Sequence, residues 1–259
     1  GKSSGPGKPH QGKVALVTGA NSGIGKATCE ALAADGAVVI GLDINPEVVE
    51  QLNGIGMTGM MCDLTDTQSV ATAVDRVVSL YGGLDIVVCN AGIFKSGERI
   101  EDHTEDTWNK TMAVNLTATQ RLMSATIPYL KLGIEPSILV VGSRNYAAPG
   151  PGAAAYSVSK AGLTQLARVA ALELAGEGIR VNVIHPDAVF DTALWTESAL
   201  ATSAARYAMT VEEYKTKNLL SKEISAIDVG RLLSTMASNV FAATTGAQIP
   251  IDGGNDRVI

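Results

Sequence analysis

The sequence predicts a doubly wound α/β fold, a single domain with one parallel sheet of about seven strands and helices on both faces. Short apolar runs recur along the 259 residues, helical periodicity separates most of them, and a glycine-rich turn joins the first run to the first helix. Runs that alternate with helices require right-handed crossovers. The strands are then parallel, and ligands gather at their carboxyl ends.

Residues 1–12 are small, polar and proline-bearing. They bury too little apolar surface to offset the entropy of ordering, and read as a linker or tag remnant. The domain is expected over 13–259. Its first strand is Lys13-Val14-Ala15-Leu16-Val17-Thr18, and a helix is predicted from Gly23 to about Ala34. Further strands are predicted at Ala37–Leu42, Met57–Cys62, Leu84–Cys89, Ser137–Gly142, Arg180–Ile184 and Ala247–Ile251. A helix from about Ala153 to Ala175 is rich in Ala and Leu on more than one face, which suits a buried subunit interface as well as a buried core. Residues 187–222 scatter Phe190, Leu194, Trp195, Tyr207, Met209 and Tyr214 among polar residues, the composition of a lid that shapes a substrate site.

A net charge of -6 disfavours nucleic acid and anionic membranes as partners and favours a small-molecule substrate. The chain has no apolar run of about 18 residues to span a bilayer and no opening signal peptide, so a cytoplasmic location is expected. Cys29, Cys62 and Cys89 are odd in number and sit in predicted helix or strand. They read as buried structural thiols, with no metal site.

In Thr18-Gly19-Ala20-Asn21-Ser22-Gly23-Ile24-Gly25, three glycines stand where a strand turns into a helix. Gly19 allows the tight turn, while Asn21, Ser22, Gly23, Ile24 and Gly25 bring backbone and helix start toward a dinucleotide pyrophosphate. A plain β-α turn would look similar. Asp43, with Ile44, closes the second strand about 20 residues later, where a carboxylate accepts from ribose hydroxyls and repels a 2′-phosphate; NAD is therefore preferred over NADP. Asp63-Leu64 and Asn90-Ala91-Gly92 fall at the sheet edge where adenine and ribose should rest, although Asp63 could equally cap the next helix. His103 reads as a surface or capping residue. Tyr156 and Lys160 are four apart, hence neighbours on one helix face, and an adjacent ammonium would draw a phenol toward the working pH.

The glycine turn, Asn90-Ala91-Gly92, Asn115, Ser143 and Tyr156-Ser157-Val158-Ser159-Lys160 together resemble the short-chain dehydrogenase/reductase family. That resemblance covers nearly the whole chain after residue 12 and implies a Rossmann fold, a nicotinamide-dependent oxidoreductase, and a homotetramer or homodimer. It makes Tyr156 the general acid/base. Lys160 would lower the tyrosine pKa and hold the nicotinamide ribose, Ser143 would bond the substrate oxygen, and Asn115 would support a water leading to solvent. Pro186 and Val189 would approach the nicotinamide, with Thr192 beyond them. Asp187 stands where the family commonly has glycine.

Gly142-Ser143-Arg144-Asn145, Ala148-Pro149-Gly150 and Pro186-Asp187-Ala188-Val189-Phe190 with Trp195 are further similar to the dehydrogenase portion of bifunctional rhamnulose-phosphate aldolase/lactaldehyde dehydrogenases. Arg144 and His185 depart from that branch, which commonly has lysine and asparagine there. The resemblance suggests lactaldehyde as substrate, in contact with Ser143, Asn145, Phe190 and Trp195. A hydrated aldehyde presents the same H-C-O-H group as an alcohol, so Tyr156 would serve either. Polyols, sugars and secondary alcohols are the alternative substrates, and a regulator that binds NAD without turnover is the alternative from another class.

Overall fold

The computed structural model describes residues 7–95, 97–192 and 195–255. Among them, strands and helices alternate through the first half: β1 (Val14–Thr18), α1 (Gly23–Ala34), β2 (Val38–Asp43), α2 (Glu47–Asn53), β3 (Thr58–Met61), α3 (Thr67–Tyr81) and β4 (Ile86–Cys89). There follow α4 (Glu105–Met112), α5 (Ala118–Leu130), β5 (Ser137–Val141), α6 (Ala154–Leu174) and β6 (Arg180–Pro186). The chain continues through α7 (Glu197–Arg206), α8 (Val211–Lys215) and α9 (Ala226–Ala237) to β7 (Gln248–Ile251). All strand pairs are parallel, in the order β3-β2-β1-β4-β5-β6-β7. This is the Rossmann architecture expected from the sequence.

Period-2 alternation inside each strand builds two separate cores. From β1, Val14 and Leu16 join the cluster under α3, α5 and α6, while Ala15 and Val17 join the one under α1 and α9; in β5, Ile138 and Val140 divide from Leu139 and Val141 in the same way. Because both faces are covered, β1, β4 and β5 are buried at every position and read as unbroken apolar runs. A third, small cluster joins Phe190, Ala204 and Tyr214 in the lid region.

Strand boundaries differ from the sequence prediction by one or two residues. Two-residue changes occur at β4, which starts at Ile86, and at β6, which runs on to Pro186 because β7 continues the ladder through His185↔Pro250 and Pro186↔Ile251. Within the segment assigned to a linker, His10 is fully buried. Its backbone N–H donates to Asp35 O at 2.9 Å, and its Nε2 lies 2.9 Å from Ser234 O and 3.1 Å from Ser234 Oγ. The imidazole thus finds polar partners on α9 that composition alone does not reveal.

Candidate active site

The order reverses at β1: β2 lies on one side and β4 on the other, so the loops after β1 and β4 part above the sheet and open a crevice. A cavity of about 360 Å³ occupies it. Its walls come from the β1–α1 turn (Gly19, Ser22, Gly23, Ile24), the end of β2 (Asp43), the loop after β4 (Asn90 to Phe94), the end of β5 (Val141 to Ser143), α6 (Tyr156, Lys160), and the segment after β6 (Pro186, Asp187, Val189, Thr192, Trp195).

At one end the backbone is shaped for an anion. Gly19 and Gly23 have φ of +66° and +55°, and a Cβ on Gly19 would meet Asn90 Nδ2 at 2.7 Å. A Cβ on Gly25 would stand 2.0 Å from Gly19 O, so the helix start and the turn are in direct backbone contact. Asn90 stitches the two loops together: its N–H donates to Thr18 Oγ1 at 3.0 Å and its side-chain amide to Thr18 O at 2.9 Å. Ser22 makes no side-chain cap on α1 and the first turn holds no acidic residue, whereas α3, α4, α7, α8 and α9 are all capped by side chains. The uncapped N–H groups of α1 open on the cavity, and Asn21 Oδ1 is buried without a partner. Asp43 Oδ2 and Oδ1 accept from the N–H groups of Asn21 and Asn45 at 3.0 and 2.9 Å, fixing its carboxylate at the mouth. These features fit the diphosphate and ribose of a dinucleotide.

At the other end, α6 carries Tyr156 and Lys160 one turn apart, opposite Ser143. Lys160 is buried, its Nζ donating to Val141 O at 2.9 Å and lying 5.8 Å from the Tyr156 ring centroid. Burial draws the ammonium down to about 8. Burial pushes the Tyr156 phenol up, and the opposing pull comes from the Ser143 hydroxyl. Desolvation disfavours phenolate and ammonium alike, and Lys160 is turned toward a backbone carbonyl. Phe94 meets the Tyr156 ring edge-on at 4.7 Å and limits how it can swing.

The "short chain dehydrogenase" family profile matches residues 13–202. This chain belongs to the short-chain dehydrogenase/reductase family. The oxidoreductase YuxG of Bacillus subtilis is 36% identical over 258 residues, covering 93% of this chain and 37% of YuxG, so the chain spans just over a third of that relative's length. Dehydrogenase/reductase SDR family member 4 of Sus scrofa is 32% identical, covering 95% of this chain and 88% of that protein. Among solved structures, a dehydrogenase/reductase from Sinorhizobium meliloti superposes with a TM-score of 0.83 at 30% identity, covering 96% of this chain and 97% of the other. Thermoplasma acidophilum aldohexose dehydrogenase gives 0.85 at 25% identity and 98% of each chain. The chain is an NAD(P)-dependent short-chain dehydrogenase/reductase, and no helix among its described residues is long and apolar enough to cross a membrane.

The short-chain dehydrogenase cavity brings together Gly19, Ser22, Gly23, Ile24, Asp43, Asn90, Ala91, Gly92, Ser143, Tyr156, Lys160, Pro186, Val189 and Trp195 from the residues singled out in the sequence. Asn21, Gly25, Ile44, Asp63, Leu64, Asn115, Asn145 and Phe190 lie outside its wall. Asn21 and Gly25 shape the turn from behind. Asp63 accepts from Thr65 N–H and Oγ1, which holds its carboxyl below the usual range, and Asp66 rather than Asp63 caps α3.

Asn115 sits in a π-helical segment, Ala113–Thr117, fully buried, and ties the β4 loop to α6. Its Oδ1 accepts from Ile93 N–H at 2.8 Å, and its Nδ2 donates to Ile93 O and to Ser159 Oγ. Asn145 turns its backbone N–H to Ser143 Oγ at 3.2 Å, and Phe190 packs on Trp195 and Tyr214. His103 is tucked 3.1 Å from Glu98, and Thr104 is the cap of α4. Leu194 lies outside the described residues.

Ile93, Phe94 and Val141 were not singled out in the sequence; they carry no motif, and only the tertiary approach of their loops puts them in the wall. Asp187 is accommodated without strain, since left-handed φ at non-glycine positions is confined, among the described residues, to Glu135, Ala208 and Ser221. Cys29 and Cys89 are buried with thiols pushed up to about 12, which leaves neither as a nucleophile near neutrality.

Proposed function

We propose that the chain is an NAD-preferring dehydrogenase for a small polyol, sugar or secondary alcohol, or the matching carbonyl compound, with Tyr156 as its general acid/base. The observation that carries this reading is the convergence of Ser143, Tyr156 and Lys160 at one end of a cavity whose other end suits a dinucleotide. When bound, the nicotinamide supplies the hydride acceptor or donor. Ser143 donates to the substrate oxygen and orients it. Tyr156 Oη takes the hydroxyl proton in oxidation and returns one to the carbonyl oxygen in reduction. Lys160, its head buried beside this pair, holds the nicotinamide ribose, and its positive charge favours the phenolate once the ammonium turns from Val141 O. Asn115 acts through Ile93 and Ser159 to keep the β4 loop and α6 in register. The Asp43 carboxylate opposes a 2′-phosphate and supports NAD over NADP.

A narrower reading takes lactaldehyde as the substrate and the chain as the dehydrogenase part of a bifunctional aldolase/dehydrogenase. It is supported by the residues around Ser143 and Pro186, and by a match to a segment that is 37% of YuxG. Similarity to an aldohexose dehydrogenase and to the (-)-isopiperitenol/(-)-carveol dehydrogenase of Mentha piperita favours the broader class. Association into a homotetramer or homodimer is supported by exposed Val158, Val169 and Leu172 on α6. The decisive experiment compares wild type with Tyr156→Phe on a panel of polyols, sugars, secondary alcohols and lactaldehyde. Loss of general acid/base catalysis costs roughly 10²–10⁴ in kcat, with NAD affinity unchanged; a variant as fast as wild type overturns the assignment.

A further inference from the structure

His185 does not line the cavity, yet it braces a residue that does. It sits near the carboxyl end of β6, 2% exposed, beside the end of β5. Gly142 leaves room for its ring, since a Cβ there would stand 2.5 Å from His185 Nδ1. Nδ1 lies 3.2 Å from Ser143 O, which also takes the Tyr146 N–H at 3.1 Å. The imidazole stacks on the Tyr146 ring, with centroids 3.9 Å apart and planes 18° from parallel. One side chain on β6 thus packs against Gly142, Ser143 and Tyr146. On the cavity side, Ser143 Oγ accepts from Asn145 N–H at 3.2 Å, which leaves the hydroxyl proton for the substrate oxygen.

We propose that His185 is a positioning residue that holds Ser143 in its reactive orientation by donating a hydrogen bond from Nδ1 to Ser143 O. This rests on the reading that Ser143 binds the reacting oxygen, and adds what keeps it there. The carbonyl and Oγ of Ser143 belong to one residue, so pinning the carbonyl from β6 limits how far the hydroxyl drifts in the cavity. Ser143 O can only accept, and burial keeps the ring neutral near pH 7, with a single N–H. The other ring nitrogen, Nε2, faces the Gln248 side-chain amide, with Oε1 at 2.7 Å. That amide also donates from its Nε2 to Gly246 O at 3.4 Å, a long contact, and turning it over presents a donor to His185 Nε2. Ser143 O has no such choice, so the ring proton belongs on Nδ1.

The test separates the two ring nitrogens. An asparagine amide reaches the place of Nδ1 and a glutamine amide that of Nε2, while phenylalanine keeps a ring for Tyr146 and bonds neither partner. For His185→Asn, His185→Gln and His185→Phe, kcat, KM and NADH affinity are measured on the best substrate of the panel above, each also in a Ser143→Ala background. The glutamine and phenylalanine variants should lower kcat by roughly 10- to 100-fold, the cost of a misplaced catalytic group, and leave KM and NADH affinity unchanged. Asparagine should restore most of the rate. Without the Ser143 hydroxyl, the same substitutions should cost less than about twofold, because they act through a group already gone. In parallel, nitrogen-15 NMR of the chain labelled at its three histidines reads the tautomer, with His185→Phe assigning the signal; Nδ1–H is expected.

Losses of equal size with and without the Ser143 hydroxyl, an asparagine variant as slow as the glutamine one, or a ring protonated at Nε2 alone overturns the proposal. Ser143→Ala as fast as wild type would instead overturn the catalytic reading of Ser143, while the tautomer still decides whether His185 holds its carbonyl.

Discussion

Replacing Lys160 by methionine should abolish turnover and, near neutral pH, stabilise the protein without cofactor. Burial draws the ammonium from 10.5 to about 8. At about 1.4 kcal/mol per pH unit, holding it charged in this cavity costs about 3 kcal/mol relative to water. Methionine keeps most of the stem and removes the charge. Against this gain stands the lost hydrogen bond from the ammonium to Val141 O, worth about 2 kcal/mol because its donor is charged, so the net stabilisation is about 1 kcal/mol. The folded pKa lies below the unfolded value. The lysine is therefore least harmful above 10.5, where both states are neutral, and the wild type loses stability as pH falls through 10.5 to about 8. The advantage of Lys160→Met is full below about pH 8 and shrinks as pH rises from there toward 10.5. Urea unfolding of both proteins at about pH 7 and about pH 10, with m-values compared, measures it. A variant less stable than wild type at neutral pH, or a difference that does not change with pH, would refute the assignment of a buried, desolvated ammonium.

Gly25→Ala drives a methyl group to 2.0 Å from Gly19 O, and overpacking of that kind costs about 1–3 kcal/mol; thermal unfolding should shift down and NAD titration should weaken by tenfold or more, and an unchanged NAD affinity would show the turn is not the pyrophosphate site. Asp43→Asn removes the charge while keeping the shape, so the NAD-to-NADP ratio of kcat/KM should fall by at least about tenfold; a constant ratio would remove Asp43 from cofactor selection. His185 is held neutral by burial, its Nε2 2.7 Å from Gln248 Oε1 and its ring stacked on Tyr146 at 3.9 Å. Its folded pKa is lowered, so its contribution is present above 6.5 and lost as pH falls through the folded value. Guanidinium midpoints should accordingly fall less between about pH 7 and about pH 5 in His185→Asn than in wild type, and parallel slopes would show that burial does not shift this imidazole.

The first helix, Gly23–Ala34, and the long helix around Tyr156 were legible in the sequence to within a residue, as was the parallel alternation of strands. The reason is local: apolar periodicity, glycine at a turn that needs positive φ, and apolar runs buried on both faces are set by short stretches of chain. The relation between Tyr156 and Lys160 was legible for the same cause, since four residues on a helix make neighbours wherever the helix lies. The rise of the Tyr156 phenol was not, because it comes from burial, opposed by the Ser143 hydroxyl, which only the tertiary approach of β5 to α6 supplies. Likewise Asp187 read as a departure from a pattern, and only the fold brings it to Arg144 and into the cavity wall. Spacing along the chain determined which residues share an element. Desolvation and charge pairing, which arise where distant elements meet, decided how those residues behave.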